Sequence, residues 1–187
     1  YQAWMAMKGT SFTPQTWSAY VNSETSLPIP GALEFCKYAE SKGVKVFYVS
    51  NRTADEEPAT RRNMEKYGFP MGGNVDTVLT SREQPDWSSA KSTRRAYVAR
   101  EYRILLNIGD NYGDFTDAFR GSEAERLKSY EANKARFGRE WIVIANPTYG
   151  SFESATFGHD FKKSPAEQRK AKRDALKIGK TVPKMLE

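Results

Sequence analysis

Three side chains that could bind a phosphate group follow the first strand-like segment of the sequence. Residues 44–50 are rich in β-branched and aromatic residues, which predicts a strand. The strand would end at Ser50, and Asn51 and Arg52 follow, so a hydroxyl, an amide and a guanidinium lie at its tip. Such a group can hold phosphate oxygens, with the backbone amides of the turn adding their dipoles. The alternative is an ordinary polar turn between a strand and a helix.

Two carboxylates, Asp110 and Asp114, follow another strand-like segment, residues 104–108. The first would lie at the strand tip and the second in the next turn, so both can face one cavity. Carboxylate oxygens suit a hard cation. Gly109 would let a ligand approach the backbone closely. The alternative for these residues is an Asx-turn that caps a short helix.

Lys91 lies between these two motifs, near the start of a basic helix predicted for residues 88–101. The N-terminus of a helix favours anions because its backbone dipoles align there. A lysine in the first turn gains nothing from that dipole, so a negatively charged partner would explain its position. The alternative is an ordinary exposed lysine.

Strand-like and helix-like segments alternate along the chain, and this alternation predicts how the polar motifs are positioned. The predicted strands are residues 44–50, 75–79, 104–108 and 141–145. The predicted helices begin after Thr13 and after Pro30, run over residues 57–67 before Gly68, and cover residues 88–101 and 121–137. A loop is predicted for residues 146–158, and a helix running into a tail after Ser164.

Such an order predicts an α/β fold. Parallel strands joined by helical crossovers give a three-layer sandwich with a mostly parallel, Rossmann-like sheet. Ligands of such folds bind beyond the carboxyl ends of the strands. Ser50 and Asp110 both fall at predicted strand ends.

Composition is consistent with one such domain. The chain has 187 residues, 39% of them hydrophobic, which is enough for a sizeable core. The net charge of +6 favours anionic partners such as phosphates. Most of that excess lies in residues 162–184, which read as a solvated helix and tail. The single cysteine, Cys36, cannot form an internal disulfide and therefore indicates no compartment.

The motifs, taken together and in this order, resemble the second, third and fourth motifs of the haloacid dehalogenase superfamily. The amino-acid sequences of these motifs are similar to those of the class C (lipoprotein-type) acid phosphatases. The resemblance covers residues 1 to about 153 and rests on four segments, residues 46–52, 89–94, 109–115 and 146–153.

The resemblance implies a role for each matching residue. Ser50 would bind the substrate phosphate with Asn51 beside it, and Lys91 would neutralise that phosphate and the nucleophile. Asp110 would bind Mg²⁺ directly. Asp114 would hold Lys91 or a metal-bound water.

Aromatic side chains line the leaving-group pocket in this family. The matching positions here are Trp17 and Tyr149, where a nucleobase could stack. The alternatives are core packing for Trp17 and loop packing for Tyr149.

The sequence departs from the family at its first motif. No Asp-x-Asp occurs anywhere in the 187 residues. In the family this motif supplies the aspartate nucleophile and the general acid and base, and its strand lies at the centre of the sheet. We therefore expect the sequence to begin partway into the polypeptide, with the nucleophile upstream of Tyr1 and the central strand absent from these residues.

The resemblance implies a Mg²⁺-dependent acid phosphatase that hydrolyses nucleoside monophosphates or other small organic phosphates through an aspartyl-phosphate intermediate. Its core would be residues 1–160, with small helical cap elements in about residues 1–30, and residues 161–187 would form a basic helix and tail. The family is typically exported in bacteria to the periplasm or outer membrane. A lipid anchor outside these residues and a homodimer are both compatible with that expectation.

Two other classes of function stay open at this point. One is a catalytically inactive relative retained for interaction, which the missing motif would favour if Tyr1 were the true start of the protein. The other is a phosphate- or nucleic-acid-binding protein that uses the basic tail. The tail has no interleaved aromatic residues and no recognised nucleic-acid motif, so we expect no specific nucleic-acid partner.

Overall fold

The computed structural model describes residues 1–146 and 149–176, which fall into two compact units on either side of the boundary between Tyr102 and Arg103. Each unit contains helices and a pair of parallel strands. The predicted α/β fold with parallel strands is therefore confirmed. A three-layer arrangement around a single sheet stays a prediction, as does a central strand contributed by residues outside this sequence.

The first unit alternates helices with two strands. The Thr13 hydroxyl accepts a hydrogen bond from Thr16 N at 3.1 Å and caps the second helix, whose first residue is a proline. Gly68 ends the fourth helix with a φ of 78°, a left-handed conformation that glycine adopts without strain. The elements are α1 Gln2–Lys8, α2 Pro14–Asn22, α3 Ala32–Ser41, β1 Tyr48–Thr53, α4 Glu57–Tyr67, β2 Val78–Ser81 and α5 Ser92–Val98, with a 3₁₀ turn at Ala54–Glu56.

The pairing of β1 with β2 is irregular at one place. Tyr48 and Val49 lie opposite Val78 and Leu79, but the next aligned pair joins Thr53 to Ser81. Residues 50–52 therefore bulge out of the ladder. Bulges of this kind bend a strand and redirect its side chains, and they are frequent beside active sites.

A small apolar core lies beside this strand pair. Leu79, Trp87 and Val98 are buried, and Trp87 packs edge-on against Tyr97 at 5.3 Å between ring centroids. Because Val98 belongs to α5 and Leu79 to β2, this cluster fixes α5 against the sheet. Further partly buried hydrophobic residues surround it, namely Phe47, Val49 and Tyr102.

The second unit has a regular strand pair. Asn107, Ile108 and Gly109 lie opposite Trp141, Ile142 and Val143 in parallel register. The elements are β3 Asn107–Gly109, α6 Glu123–Asn133, β4 Trp141–Val143, α7 Ser151–Ala155 and α8 Pro165–Asp174, with 3₁₀ turns at Tyr112–Asp114, Asp117–Arg120 and Lys134–Arg136.

Aromatic rings form the core of the second unit. Phe115 and Trp141 are buried and stack at 5.5 Å, and Phe137 packs against both. Arg136 lies over the Trp141 ring at 4.3 Å. This cluster holds β4 against the segment that follows β3, where the predicted metal ligands are found.

Basic side chains anchor α8 to the rest of its unit. Lys172 forms an ion pair with Glu153, and the Lys163 ammonium donates to the Phe157 carbonyl at 3.0 Å. The helix predicted after Ser164 is confirmed as α8, while the predicted tail lies outside the described residues.

None of the described helices has the length and apolar character needed to cross a bilayer.

Several predicted boundaries were wrong. Every predicted strand is shorter or shifted, and the helix predicted for residues 88–101 is confined to α5, Ser92–Val98. Residues 146–158 were predicted to form a loop, but α7 occupies Ser151–Ala155.

Candidate active site

The bulge in β1 contains Ser50, Asn51 and Arg52, the first predicted phosphate-binding group. The Ser50 hydroxyl accepts a hydrogen bond from Arg52 N at 3.2 Å, so its own proton is not used in that bond. The Asn51 carbonyl accepts from the Ser81 hydroxyl at 3.2 Å. Side chains thus satisfy backbone groups that the interrupted ladder leaves open.

Arg94 joins this bulge to the loop that carries Lys91. Its side chain is fully buried, with 0% exposure. The guanidinium donates to the Ser50 carbonyl and to Asn51 Oδ1 at 2.7 Å on the strand side. On the loop side it donates to the carbonyls of Ser88 at 2.7 Å and Ala90 at 3.4 Å.

Asn51 adds a second link between the same two segments. Its Nδ2 donates to the Ser89 carbonyl at 3.0 Å, while its Oδ1 accepts from Arg94. Both ends of the amide therefore bind protein groups. The predicted contact of Asn51 with phosphate stays a prediction, and the structure shows a bridging position for this side chain.

Lys91 occupies the N-cap position of α5, one residue before the helix begins at Ser92. The sequence predicted it within the first turn of a longer helix, and that prediction was wrong because the preceding residues form a loop. Ala90 N donates to the Ser88 hydroxyl at 3.2 Å within that loop. Lys91 is partly buried.

Trp17 belongs to a cluster of aromatic rings near the start of the first unit. Its ring lies edge-on to Tyr1 at 5.3 Å and 5.7 Å from Tyr20. The Arg52 guanidinium stands 5.8 Å from the Trp17 ring centroid and donates to Thr60 Oγ1 at 2.9 Å. Burial lowers the pKa of Arg52. The ring is thus packed on several sides, as the alternative of core packing requires, yet it is only partly buried.

In the second unit, Asp110 follows the last residue of β3 and is exposed. Asn146 Nδ2 donates to Asp110 Oδ2 at 2.9 Å, and Asn146 Oδ1 accepts from Tyr149 N at 3.4 Å. The carboxamide of Asn146 therefore links the end of β3 to the loop that carries Tyr149.

Asp114 closes the turn after Asp110. Its Oδ2 accepts from Asn111 N at 2.9 Å, and Asn111 Oδ1 accepts from Gly113 N at 3.3 Å. This is the capping turn considered as an alternative for the motif. A Cβ at Gly109 would collide with the Asp114 side chain, so the glycine makes room for that carboxylate and not for a ligand.

The pKa of Tyr149 is affected by the charges in this region. It is 51% exposed, and burial of its hydroxyl raises its pKa, with Asp110 and Asp114 adding to the effect. Burial disfavours any charge, whereas the two carboxylates disfavour only the phenolate and would attract a cation. Asp110 and Asp114 therefore both contribute negative potential at the Tyr149 hydroxyl.

The donor set fits Mg²⁺ in chemical type. Asp110 offers a hard, exposed carboxylate, and Mg²⁺ is commonly bound by one or two carboxylates together with water and substrate phosphate oxygens. Across residues 1–146 and 149–176, no group of three or more His, Cys, Asp or Glu side chains is arranged to hold a metal.

A further network fixes the loop beyond Tyr149. The Ser151 hydroxyl donates to Asn111 Oδ1 at 2.6 Å and accepts from Arg126 Nη1 at 2.9 Å. Arg126 also donates to the Phe119 carbonyl at 2.8 Å. The start of α7 is therefore tied to the turn that contains Asp114.

Two residues that organise these regions, Arg94 and Asn146, were not predicted from the sequence. Arg94 was indistinguishable from the basic residues around it, although it lies four positions before the apolar Val98 and therefore on the same face of α5. Asn146 directly follows the predicted last strand, the position at which Ser50 and Asp110 had been recognised. Its place at a strand end was a signal that could have been used.

Comparison with known proteins decides the family. A family model described as HAD superfamily, subfamily IIIB (Acid phosphatase), matches residues 1–152. The chain belongs to this family. Its predicted resemblance to the haloacid dehalogenase superfamily is confirmed.

This subfamily IIIB chain is similar to two solved structures of the class C acid phosphatase from Bacillus anthracis, one with tungstate bound. Each is 35% identical to it, with TM-scores of 0.85 and 0.86. The similarity covers 95% of this chain and 72% and 73% of the respective relatives.

The subfamily IIIB chain is also similar to two curated proteins of Glycine max, the Stem 28 kDa and Stem 31 kDa glycoproteins. Each is 25% identical over 114 residues, or 59% of this chain. The match spans 44% and 38% of their respective lengths, so the chain covers less than half of either relative.

Proposed function

We propose that the protein is a Mg²⁺-dependent acid phosphatase that hydrolyses nucleoside monophosphates or other small organic phosphates. The observation that carries the proposal is the hydrogen bond from Asn51 to the Ser89 carbonyl at 3.0 Å. It joins two segments, 38 residues apart, whose matching motifs bind phosphate in the family. Segments predicted independently to bind one group are thereby held next to each other.

In the first unit, Ser50 and Lys91 would bind the phosphate. The Ser50 hydroxyl keeps its proton for donation because it accepts the bond from Arg52 N. Lys91 would supply positive charge to a phosphoryl group on which negative charge accumulates. Donors and charges fixed before the reaction stabilise the transition state without reorganisation.

In the second unit, Asp110 would bind the metal, and Asp114 would shape the turn that presents it. A bound Mg²⁺ supplies charge neutralisation and orientation of a phosphate oxygen. Asn146 holds the Asp110 carboxylate by its hydrogen bond at 2.9 Å. Asp114 would also hold Lys91 or a metal-bound water, as the resemblance implies.

The proposed reaction transfers the phosphoryl group to an aspartate and then hydrolyses the resulting acyl phosphate with water. The family's Asp-x-Asp motif, which supplies that aspartate, does not occur in the 187 residues. Residues 1–187 would then bind and orient the phosphate for a nucleophile that they do not provide in this motif.

The similarity to the tungstate-bound relative supports an oxyanion site. Tungstate is a tetrahedral dianion of the same shape class as phosphate, and the relative that binds it covers 95% of this chain at 35% identity. Trp17 and Tyr149 would contact the leaving group. A nucleobase stacked on either ring would contribute binding energy away from the reacting centre.

A second candidate, a catalytically inactive relative, is favoured by the missing Asp-x-Asp motif. One experiment separates the two. Release of inorganic phosphate from p-nitrophenyl phosphate is measured with the protein as its own cells produce it, before and after EDTA treatment and after Mg²⁺ is restored. Activity that EDTA abolishes and Mg²⁺ restores supports the phosphatase, and no turnover under any of these conditions supports the inactive relative.

A further inference from the structure

Arg94 is a buried cation to which the proposed function assigns no role. Its side chain is 0% exposed, and its four hydrogen-bond acceptors are all neutral oxygens, two on each of two chain segments. We propose that Arg94 is a positioning residue that sets the separation of Ser50 from Lys91. This rests on the proposed function, in which Ser50 and Lys91 bind the same phosphate.

The geometry of the guanidinium explains why it can do this. Its nitrogens are held in one rigid plane, so acceptors on both sides are fixed relative to each other. On one side are the Ser50 carbonyl and Asn51 Oδ1, both within the bulge of β1. On the other side is the Ser88 carbonyl at 2.7 Å, three residues before Lys91.

Asn51 completes the connection. It accepts from Arg94 and donates to the Ser89 carbonyl at 3.0 Å, so the two segments are joined by two parallel routes. Displacing either segment would break bonds on both routes. The bulge is otherwise a weak point, because a ladder interruption leaves residues 50–52 without regular pairing to β2.

Packing alone does not account for an arginine at this position. Burial of a cation without a carboxylate partner is costly, and here Nε has no hydrogen-bond partner within the described residues. Burial also lowers the pKa of Arg94, with the charge of Arg95 adding to this and that of Glu83 opposing it. An apolar side chain on this face of α5 would pack beside Val98 without that cost. The planar set of donors is what such a replacement would lose.

Two substitutions distinguish the effect of the planar donor set of Arg94 from the effect of its positive charge. Arg94→Lys keeps the positive charge but loses the planar donor set, and Arg94→Met loses both. Arg100→Met is the matched control, because Arg100 is exposed and lies over the Tyr97 ring at 5.8 Å. A positioning role requires that both Arg94 variants be impaired and that the control behave as wild type.

Hydrogen exchange measures the position of the two segments without requiring catalysis. In both Arg94 variants we expect backbone amides in residues 48–53 and 86–92 to exchange at least about tenfold faster, because the shared hydrogen bonds are lost. Residues 57–67, which form α4, should exchange at the wild-type rate. If Arg94→Met fails to fold, Arg94→Lys decides.

Kinetics test whether that position matters for phosphoryl transfer. We expect kcat for p-nitrophenyl phosphate to fall about 100-fold in Arg94→Met and about tenfold in Arg94→Lys, with KM within about threefold, since misplacement of catalytic groups acts on the transition state. In a Lys91→Met background the same Arg94→Lys change should cost less than about threefold, because the group that it positions is gone.

The outcomes distinguish this inference from the proposed function. If the wild-type protein releases no phosphate, the proposed function fails, and the exchange rates alone decide whether Arg94 positions the two segments. Wild-type exchange in residues 48–53 and 86–92 of a folded Arg94→Lys variant would overturn the inference. Wild-type kcat in that variant would also overturn it, because charge alone would then suffice.

Discussion

Lys91 stands at the N-cap of α5, in a loop whose neighbouring carbonyls are bound by Arg94 and Asn51. A surface lysine would not require such a fixed loop. The rigidity of its surroundings is the residue-scale observation that most favours a catalytic role over an ordinary exposed lysine. In the proposed function its charge would neutralise the substrate phosphate.

Replacement of Lys91 by methionine should reduce kcat at least about 100-fold, because phosphate and carboxylates would then approach each other without the neutralising charge. Steady-state turnover of p-nitrophenyl phosphate measures the loss. Lys42→Met serves as the control, since Lys42 is exposed and lies over the Tyr38 ring at 5.4 Å. A kcat within about threefold of wild type would identify Lys91 as a surface lysine.

Asp110 carries the proposed metal-binding role of the second unit. Asp110→Asn should abolish the calorimetric signal of Mg²⁺ binding, because one charge is removed from a hard-cation site. The fold should persist, since an asparagine Oδ1 can still accept the hydrogen bond from Asn146. The exposed Asp117 gives the control Asp117→Asn. Wild-type Mg²⁺ affinity in Asp110→Asn would refute the metal assignment.

At the scale of elements, Thr80 of β2 binds two carboxylates, Glu57 in α4 and Glu83 in the loop after β2. Thr80 N donates to Glu83 Oε2 at 2.9 Å, and the Thr80 hydroxyl lies 3.1 Å from Glu57 Oε2. Burial raises the pKa of Glu83; hydrogen bonds from Thr80 oppose this, and the charges of Glu57 and Asp76 add to it. The folded protein therefore binds a proton at Glu83 more tightly than the unfolded chain.

A raised pKa in the folded state stabilises the protein below the unfolded pKa, and that contribution is lost as the pH rises through the folded value. The glutamine in Glu83→Gln cannot ionise, so this variant should keep that stability as the pH rises. The Tm of this variant relative to wild type should therefore increase from about pH 4 toward neutral pH. Glu65→Gln, at an exposed position of α4, is the control. A Tm difference that does not change with pH would contradict the assignment.

Elements with local signals were predictable from sequence. Helix α4 was predicted at residues 57–67 and occupies Glu57–Tyr67, because Pro58 favours its first turn and Gly68 adopts the left-handed conformation that ends it. The cap of α2 by Thr13 was predicted for the same reason. Capping and glycine conformation depend on a few neighbouring residues, which a sequence displays directly.

Elements defined by distant partners were not predictable in detail. Strand β1 was predicted at residues 44–50 and lies at Tyr48–Thr53, because its limits depend on pairing with β2 about 30 residues away. Helix α5 starts later than predicted, because Arg94 donates hydrogen bonds to the carbonyls of Ser88 and Ala90 and so stabilises these residues in a loop. Asp110 follows the end of β3 as predicted, but Ser50 lies within β1 and not at its end, because the strand continues to Thr53 beyond the bulge. The bridging roles of Arg94 and Asn146 required coordinates.

At the scale of the whole molecule, the chain consists of two compact units, with the proposed phosphate-binding residues in the first and the proposed metal ligand in the second. The net charge of +6 suits anionic substrates in general. Export, a lipid anchor and a dimer stay predictions from the family resemblance. The substrate preference is open to direct measurement.

In the proposed function, substrate preference would depend on Trp17 and Tyr149, one in each unit. If each stacks on a nucleobase, replacement by alanine should raise KM for a nucleoside monophosphate about tenfold or more, from roughly 1 to 3 kcal/mol of lost stacking. KM for a small aliphatic phosphate should barely change. Equal losses on both substrates would show that the ring supports the fold, and no loss on either would place it outside the leaving-group pocket.

The aspartyl-phosphate pathway is the central claim, and trapping the intermediate tests it most directly. The protein as its own cells produce it is mixed with a radiolabelled phosphate monoester and Mg²⁺, then quenched with acid within one turnover. An acyl phosphate on aspartate survives acid but is cleaved by hydroxylamine, so the account predicts protein-bound label with that lability. Turnover of the substrate without bound label, or with label that resists hydroxylamine, would contradict it.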